Sequence, residues 1–322
     1  MRATGGPDSG PPPNIADNRG SRTGRRPPPG RASLIQGLPP MFSYRHGFHA
    51  GNHADVLKHV VLVHLLDYLR QKDKPFWFID THAGGGSYAL DSGYAAKSQE
   101  FRGGIAKLWD AKDLPDAVAA YVNEVRRFNP EGALRQYPGS PQIALQMVRR
   151  EDRLRLFELH PSETKVLDVF SADAGRQVMV QATDGFTALN AVLPPPPRRA
   201  LTLIDPSYED KNDYRSVTRA MTNALERFAT GVYLVWYPQV QRRESERLPE
   251  QLRRLAGEGS WLHASLSVSK PADDGFGLHG SGVFVFNPPW TLDAAMRKAL
   301  PALKRLLAQD ASADFSIDGR QV

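Results

Sequence analysis

Asp205-Pro206-Ser207-Tyr208 closes the apolar run Leu201-Thr202-Leu203-Ile204 with an acid, a proline and an aromatic. A carboxylate next to a proline carbonyl offers two neighbouring acceptors, and the aromatic offers a flat face. That set suits an exocyclic amine on a planar base. The Asp205 carboxylate accepts one N–H, the Pro206 carbonyl accepts the other, and Tyr208 stacks on the ring. Such an amine is a weak nucleophile, because its lone pair is delocalised into the ring. Holding both N–H groups favours a pyramidal nitrogen, and a nearby carboxylate stabilises the charge that grows there as a bond forms. The product cation is acidic and sheds its proton readily, with Asp205 a suitable acceptor. A base inside a helix must first be flipped out.

Three more acids follow apolar runs: Asp80 after Phe76–Ile79, Glu158 after Leu154–Phe157 and Asp184 shortly after Val178–Ala182. Ligands of open α/β sheets sit beyond the carboxyl ends of the strands. An acid after the second strand accepts from a ribose diol, and one after the third can accept from an adenine amine. Gly84, Gly85 and Gly86 let the backbone approach such a ligand. The pyrophosphate spacing Gly-x-Gly-x-x-Gly is not met, because position 89 is alanine. Asp80, just before the glycines, would also repel a pyrophosphate. A cationic, zwitterionic adenosine derivative fits better, which favours S-adenosylmethionine over NAD.

The elements that must carry these residues alternate in the manner of an α/β domain. Apolar runs at 76–80, 154–158, 178–182, 201–204 and 231–237 read as buried strands of a mostly parallel sheet. Helical patterns lie between them. Before the first strand, Val56, Val60, Val63 and Leu66 mark an apolar face on a helix over 54–71, with Asn52 as its N-cap. Residues 88–137 hold helical stretches at 104–112 and 115–128 and read as a small helical insertion. Residues 261–268 and 282–286 read as a C-terminal antiparallel hairpin. A helix over 292–307 and a polar tail over 309–322 complete the chain.

Composition narrows the class. The 322 residues include no cysteine, which excludes disulfides and thiolate metal sites and suits a cytoplasmic location. No apolar run reaches the ~20 residues of a membrane span. The net charge is +6, but Arg2, Arg19, Arg22, Arg25, Arg26 and Arg31 against Asp8 and Asp17 concentrate most of it in residues 1–40. Those residues are rich in Pro, Gly and Arg and are expected to be disordered. They read as a dispensable tail, or as the product of a start codon upstream of Met41, rather than as an RNA-binding arm.

Beyond that point several motifs gather into one pattern. The segment from Met41 to His59 combines with Asp80-Thr81-His82-Ala83-Gly84 and Pro138-Gly139-Ser140-Pro141. Glu158-Leu159-His160-Pro161-Ser162 and Asp184-Gly185-Phe186 complete the set. Together they resemble the bacterial 23S ribosomal RNA adenine-N6 methyltransferase family called RlmJ. Asp205-Pro206-Ser207-Tyr208 resembles the Asp-Pro-Pro-Tyr signature of amino-group adenine methyltransferases, with Ser207 in place of the second proline. The resemblance spans 41–308. It implies a Rossmann-like class I methyltransferase domain with an inserted helical subdomain, using S-adenosylmethionine on one adenine of 23S rRNA. By motif it assigns cofactor contacts to His59, His82, Ser140, Glu158, Asp184 and Gly185. It assigns the catalytic acid to Asp205, with Pro206 and Tyr208 beside it, and an RNA contact to Tyr44. Free or early-assembly RNA is the expected substrate form, and a monomer the expected state.

Competing readings attach to the same residues. His46, His49, His53, His59 and His64 suggest a metal, but no carboxylate-plus-histidine pattern completes a site, so no metal is expected. Asn287-Pro288-Pro289-Trp290 imitates the amine motif, yet reads as a terminator after the hairpin. Lys211, Arg215, Arg242 and Arg243 read equally as phosphate contacts or as a solvated face. DNA adenine methylation uses identical amine chemistry, although no separate target-recognition domain is evident. A nucleotide- or RNA-binding module without catalysis is the remaining alternative.

Overall fold

Ten strands and ten α-helices are formed by the residues described in a computed structural model, namely 46–322 apart from Asp173 and Phe276. The strands are β1 (Trp77–Asp80), β2 (Ser87–Ala89), β3 (Gln136–Pro138), β4 (Arg153–Phe157), β5 (Val178–Gln181), β6 (Ala200–Ile204), β7 (Val232–Gln239), β8 (Trp261–Ser267), β9 (Gly280–Phe286) and β10 (Asp314–Arg320). The helices begin with α1 (His53–Arg70), α2 (Gly93–Ser98), α3 (Ile105–Trp109), α4 (Asp116–Arg127) and α5 (Ser140–Met147). They continue with α6 (Pro161–Ala172), α7 (Gly185–Val192), α8 (Asn212–Arg227), α9 (Arg243–Ala256) and α10 (Thr291–Leu307).

Eight strands form one sheet in the order β10-β8-β9-β7-β6-β1-β4-β5. The strands β5, β4, β1, β6 and β7 are mutually parallel. β9 runs antiparallel between β7 and β8, which is the expected hairpin. From β1 the chain winds out to β4 and β5, then returns to β6 on the other side. This reversal makes the C-terminal end of β1 a topological switch point, where such sheets bind ligands. Asp80 pairs in register with Leu156 of β4 and Leu203 of β6. Asp80, Glu158 and Asp205 therefore emerge from three adjacent strands at one edge.

The expectation of a polar tail over 309–322 differs from what forms. Asp314–Arg320 is an edge strand pairing with β8 from Asp314↔Ser267 to Arg320↔Trp261. Phe315 and Ile317 alternate with polar residues and are partly buried. The strand is polar because its outer face meets water, and its charges blunt a free edge. The expected disorder of residues 1–40 lies outside the described residues.

Helix α1 starts at the expected cap: the Asn52 side chain accepts from Ala54 N and Asp55 N at 2.9 and 3.0 Å. The helix is buried over most of its circumference, not along one face, since every residue from His53 to Val63 is inside. It packs against α4, α5, α10 and β9. A helix buried all round places Asp55, Lys58 and His59 in the interior, where each requires a partner.

The insertion lies between β2 and β3, which pair antiparallel, and carries α2, α3 and α4. Val118, Tyr121, Val122 and Val125 bury one face of α4. Gly104 lies against the segment before α1, where a Cβ would meet Gly51 O at 2.1 Å. Glu100 holds the same segment from the other side, through His49 Nδ1 at 3.0 Å and Asn52 Nδ2 at 2.9 Å. The insertion thereby fixes the entry into α1, and through it the polar residues of that helix.

Candidate active site

The turn after β6 leaves the sheet beside β1. Asp205 meets Lys58 of α1 there, with Nζ donating to Oδ2 at 2.5 Å. The same ammonium lies 2.8 Å from Asp55 Oδ1. Burial works against a charge on Lys58, but Asp205 and then Asp55 outweigh it and hold the ammonium well above its ordinary range. Asp55 Oδ2 also accepts Gly51 N at 2.9 Å. Lys58 was not among the residues the sequence singled out, since a lysine in an amphipathic helix reads as solvated. Its position between Leu57 and His59 gives no sign that this face is internal.

Tyr208 does not present the open face that the sequence suggests. It is 2% exposed. Its ring packs on Tyr214 and Trp236, with centroids 4.6 and 6.0 Å away. Its hydroxyl donates to Trp236 O at 2.6 Å. The backbone stands at φ 55°, a left-handed conformation that costs a bulky residue about 1–2 kcal/mol. Three hydrogen bonds compensate: Tyr208 N donates to Asp213 Oδ2 at 3.0 Å, and Arg242 Nη1 donates to the carbonyls of Tyr208 and Glu209 at 2.8 and 3.3 Å. Arg242 thus clamps this turn through its backbone. For Tyr208 to stack on a base, this turn must rearrange.

The other assigned residues line the same edge. Asp80 is fully buried and accepts Ser140 Oγ at 2.6 Å and His82 N at 3.2 Å. Burial pushes its carboxyl up to about 7; the Ser140 hydrogen bond opposes this, and the Asp205 charge adds to it. Glu158 accepts Gly84 N at 2.8 Å and His160 N at 2.6 Å, and burial raises its carboxyl. Asp184 caps α7, accepting Phe186 N and Thr187 N at 3.3 and 3.0 Å. Gly185 touches the first loop so closely that a Cβ would lie 1.8 Å from Thr81 O. His82 stacks edge-on to Phe186 at 4.8 Å, and burial lowers its imidazole to about 4, so it is neutral at pH 7. His59 is 1% exposed, with Nδ1 2.7 Å from the Tyr137 hydroxyl. Tyr44 lies outside the described residues.

One rival motif separates from this edge. Asn287 follows Phe286, which pairs with Tyr233 near the start of β7, whereas Ile204 pairs with Val235 and leads on toward its end. The Asn287-Pro288-Pro289-Trp290 turn therefore leaves the sheet at the edge opposite Asp205. Among the described residues, no group of three or more His, Asp or Glu side chains is arranged to hold a metal ion.

The donor set fits S-adenosylmethionine. The buried acid Asp80 is only partly offset by the Ser140 and His82 hydrogen bonds and by the Lys58 charge, and a cationic ligand would add to them. Glu158 and Asp184 lie at the next two strand ends, where a ribose and an adenine amine would meet them.

The family model described as "Ribosomal RNA large subunit methyltransferase D, RlmJ" matches residues 73–318. The chain belongs to the RlmJ family. The Escherichia coli K12 member, Ribosomal RNA large subunit methyltransferase J, is 47% identical over 264 residues, covering 82% of this chain and 93% of that protein. The Haemophilus influenzae member of the same name is 44% identical over 280 residues, covering 86% and 98%. A crystal structure of protein LPL1258 from Legionella pneumophila superposes with a TM-score of 0.77 at 36% identity, covering 84% of this RlmJ-family chain and 98% of the other.

Proposed function

We propose that this protein transfers a methyl group from S-adenosylmethionine to the N6 amine of a single adenine in 23S rRNA. The observation that carries the reading is Asp205, set in an Asp-Pro-x-Tyr turn at the C-terminal end of β6 and bonded to the buried Lys58. Membership of the rRNA methyltransferase family supports the RNA substrate. No described helix is long and apolar enough to cross a membrane. We take the enzyme to be a cytoplasmic monomer acting on free or early-assembly RNA, where extruding a base costs least.

His59, His82, Ser140, Glu158, Asp184 and Gly185 would hold the cofactor, with Asp80 facing its cationic amino-acid end. S-adenosylmethionine, when bound, supplies an electrophilic methyl group. Asp205 and the Pro206 carbonyl orient the adenine amine, each accepting one N–H. Lys58 holds the Asp205 carboxylate in place. As the amine attacks and positive charge grows on N6, the negative charge of the Asp205–Lys58–Asp55 cluster offsets it. The N6 proton then passes to Asp205 or to water, which restores a neutral amine. Tyr208, released from its packing, provides the stacking face, and Tyr44 contacts the RNA.

Tritiated methyl transfer onto deproteinised 23S rRNA, onto protein-free DNA and onto assembled large subunits tests the reading. Label in the naked rRNA, recovered as N6-methyladenosine after digestion, is the expected result. Label only in DNA would redirect the enzyme to that substrate. No label anywhere, with cofactor binding intact, would leave a binding module. Size-exclusion chromatography checks the monomer.

A further inference from the structure

Tyr121 and Tyr137 are both 0% exposed, yet each carries a hydroxyl that must be partnered there. Their oxygens lie 3.0 Å apart, and Tyr137 OH lies 2.7 Å from His59 Nδ1. The imidazole stacks on the Tyr137 ring at 5.7 Å and tilts against Tyr121 at 6.4 Å. The two phenols belong to the insertion, Tyr121 on α4 and Tyr137 on β3, whereas His59 is on α1. This buried polar chain runs from the insertion to the cofactor edge of the sheet. Phenylalanine at either position would pack with the same volume, so the hydroxyls need a reason of their own.

The direction of the chain follows from its last member. Burial raises both phenols far above physiological pH, so each keeps its proton. If His59 Nδ1–H donated to Tyr137 and Tyr137 donated to Tyr121, the Tyr121 proton would have no acceptor in the core. In the reverse sense every O–H finds one: Tyr121 donates to Tyr137, and Tyr137 donates to Nδ1. The reverse sense moves the odd donor to His59 Nε2–H, where the cofactor of the proposed function would supply an acceptor, and a buried donor without a partner is rarer than an acceptor with a spare lone pair. A hydrogen bond accepted at Nδ1 sets the proton on Nε2.

We infer that Tyr121 and Tyr137 are positioning residues that fix His59 as its neutral Nε2–H tautomer, presenting a hydrogen-bond donor to an anionic group of the cofactor, its carboxylate. The inference rests on the reading of His59 as a cofactor contact. It gives the inserted helical subdomain a part in cofactor binding, exerted through two hydroxyls.

Nitrogen-15 NMR of histidine-labelled full-length protein with bound S-adenosylhomocysteine reads the tautomer directly. A pyridine-type shift at His59 Nδ1 and a pyrrole-type shift at Nε2 are expected, and the opposite pattern overturns the inference. Tyr137→Phe should raise the KM for S-adenosylmethionine about tenfold, the worth of one hydrogen bond, with kcat within about twofold, and should mix the two tautomers. Tyr121→Phe leaves the Tyr137 donor in place and should raise KM only about two- to threefold. A folded Tyr137→Phe protein with unchanged cofactor affinity and an unchanged tautomer overturns the inference. His59→Ala separates the premise: weakened cofactor binding there beside an unaffected Tyr137→Phe sinks the relay alone, whereas unchanged binding in His59→Ala sinks the cofactor reading of His59 and the inference with it.

Discussion

Two turns in this chain pair proline with an aromatic and carry a left-handed residue, yet they leave the sheet at opposite edges. In Asp205-Pro206-Ser207-Tyr208 the left-handed residue is Tyr208, at φ 55°. In Asn287-Pro288-Pro289-Trp290 it is Asn287, at φ 52°, which asparagine tolerates better. The first turn follows a parallel strand, meets the buried Lys58 ammonium and leaves the sheet at the same edge as Asp80 and Glu158. The second follows an antiparallel strand, and the Asn287 amide donates to Ala229 O and Gly231 O, both at 2.7 Å. Its aromatic, Trp290, is 73% exposed, whereas Tyr208 is 2% exposed. By letters the second turn is the closer match to a double-proline amine motif. Sheet direction separates the two: a strand delivers its last residue either to the edge of the strand-end acids or away from it.

The largest effect should come from the acid that only the first turn has. Asp205→Ala should lower methyl transfer on the order of a thousandfold while equilibrium dialysis still finds the cofactor bound. Asn287→Ala is the matched control. It removes two hydrogen bonds to backbone carbonyls and should cost about 1–3 kcal/mol in urea unfolding, with kcat unchanged for the folded fraction. Transfer surviving in Asp205→Ala, or lost in a folded Asn287→Ala, would break the assignment of chemistry to one edge.

Lys58 comes next. Lys58→Met fills similar volume but leaves Asp205 and Asp55 facing each other without a cation. It should lower kcat roughly a hundredfold, and breaking a buried ion cluster costs about 3–5 kcal/mol. Near-normal kcat in Lys58→Met would show that Asp205 needs no partner. This residue also measures what the sequence can tell. The strand-acid repeat, the glycines and the hairpin were legible, because strands end in register and periodicity reports burial. Lys58 was not, because periodicity ranks residues by apolarity and cannot flag a charge that is inside for its partner's sake. Tyr208 was legible in identity but not in state, since its packing on Tyr214 and Trp236 comes from elements remote in sequence. β10 carried a two-residue alternation at Phe315 and Ile317, which its polar composition obscured.

Asp80 sharpens the comparison through pH. With its carboxyl raised to about 7, it is largely ionised above pH 8 and protonated below pH 6. A cationic ligand requires the ionised form, so cofactor affinity should be full on the alkaline side and weaken as pH falls. Below pH 7 the loss approaches about tenfold per unit, and binding releases up to one proton. Calorimetry in buffers of different ionisation heat reads that proton directly. Affinity independent of pH between 6 and 8 would remove Asp80 from the cofactor's cationic end.

The smallest effect is expected at the third position of the two turns, Ser207 against Pro289. A second proline would stiffen the Asp205 turn by fixing its backbone. Ser207 adds only a long contact, its Oγ accepting Glu209 N at 3.4 Å. The turn is nevertheless held from outside, by Arg242 on two carbonyls and by Asp213 on the Tyr208 amide. Those clamps act on the residues after Ser207, so the order that proline would impose is already present. Ser207→Pro should therefore change kcat by no more than about twofold and raise stability by at most about 1 kcal/mol, through the unfolded chain. Arg242→Ala removes the clamp and should lower kcat about tenfold with Ser207 in place, and by less in the Ser207→Pro background. Equal losses in the two backgrounds would mean that Arg242 serves something other than the stiffness of this turn.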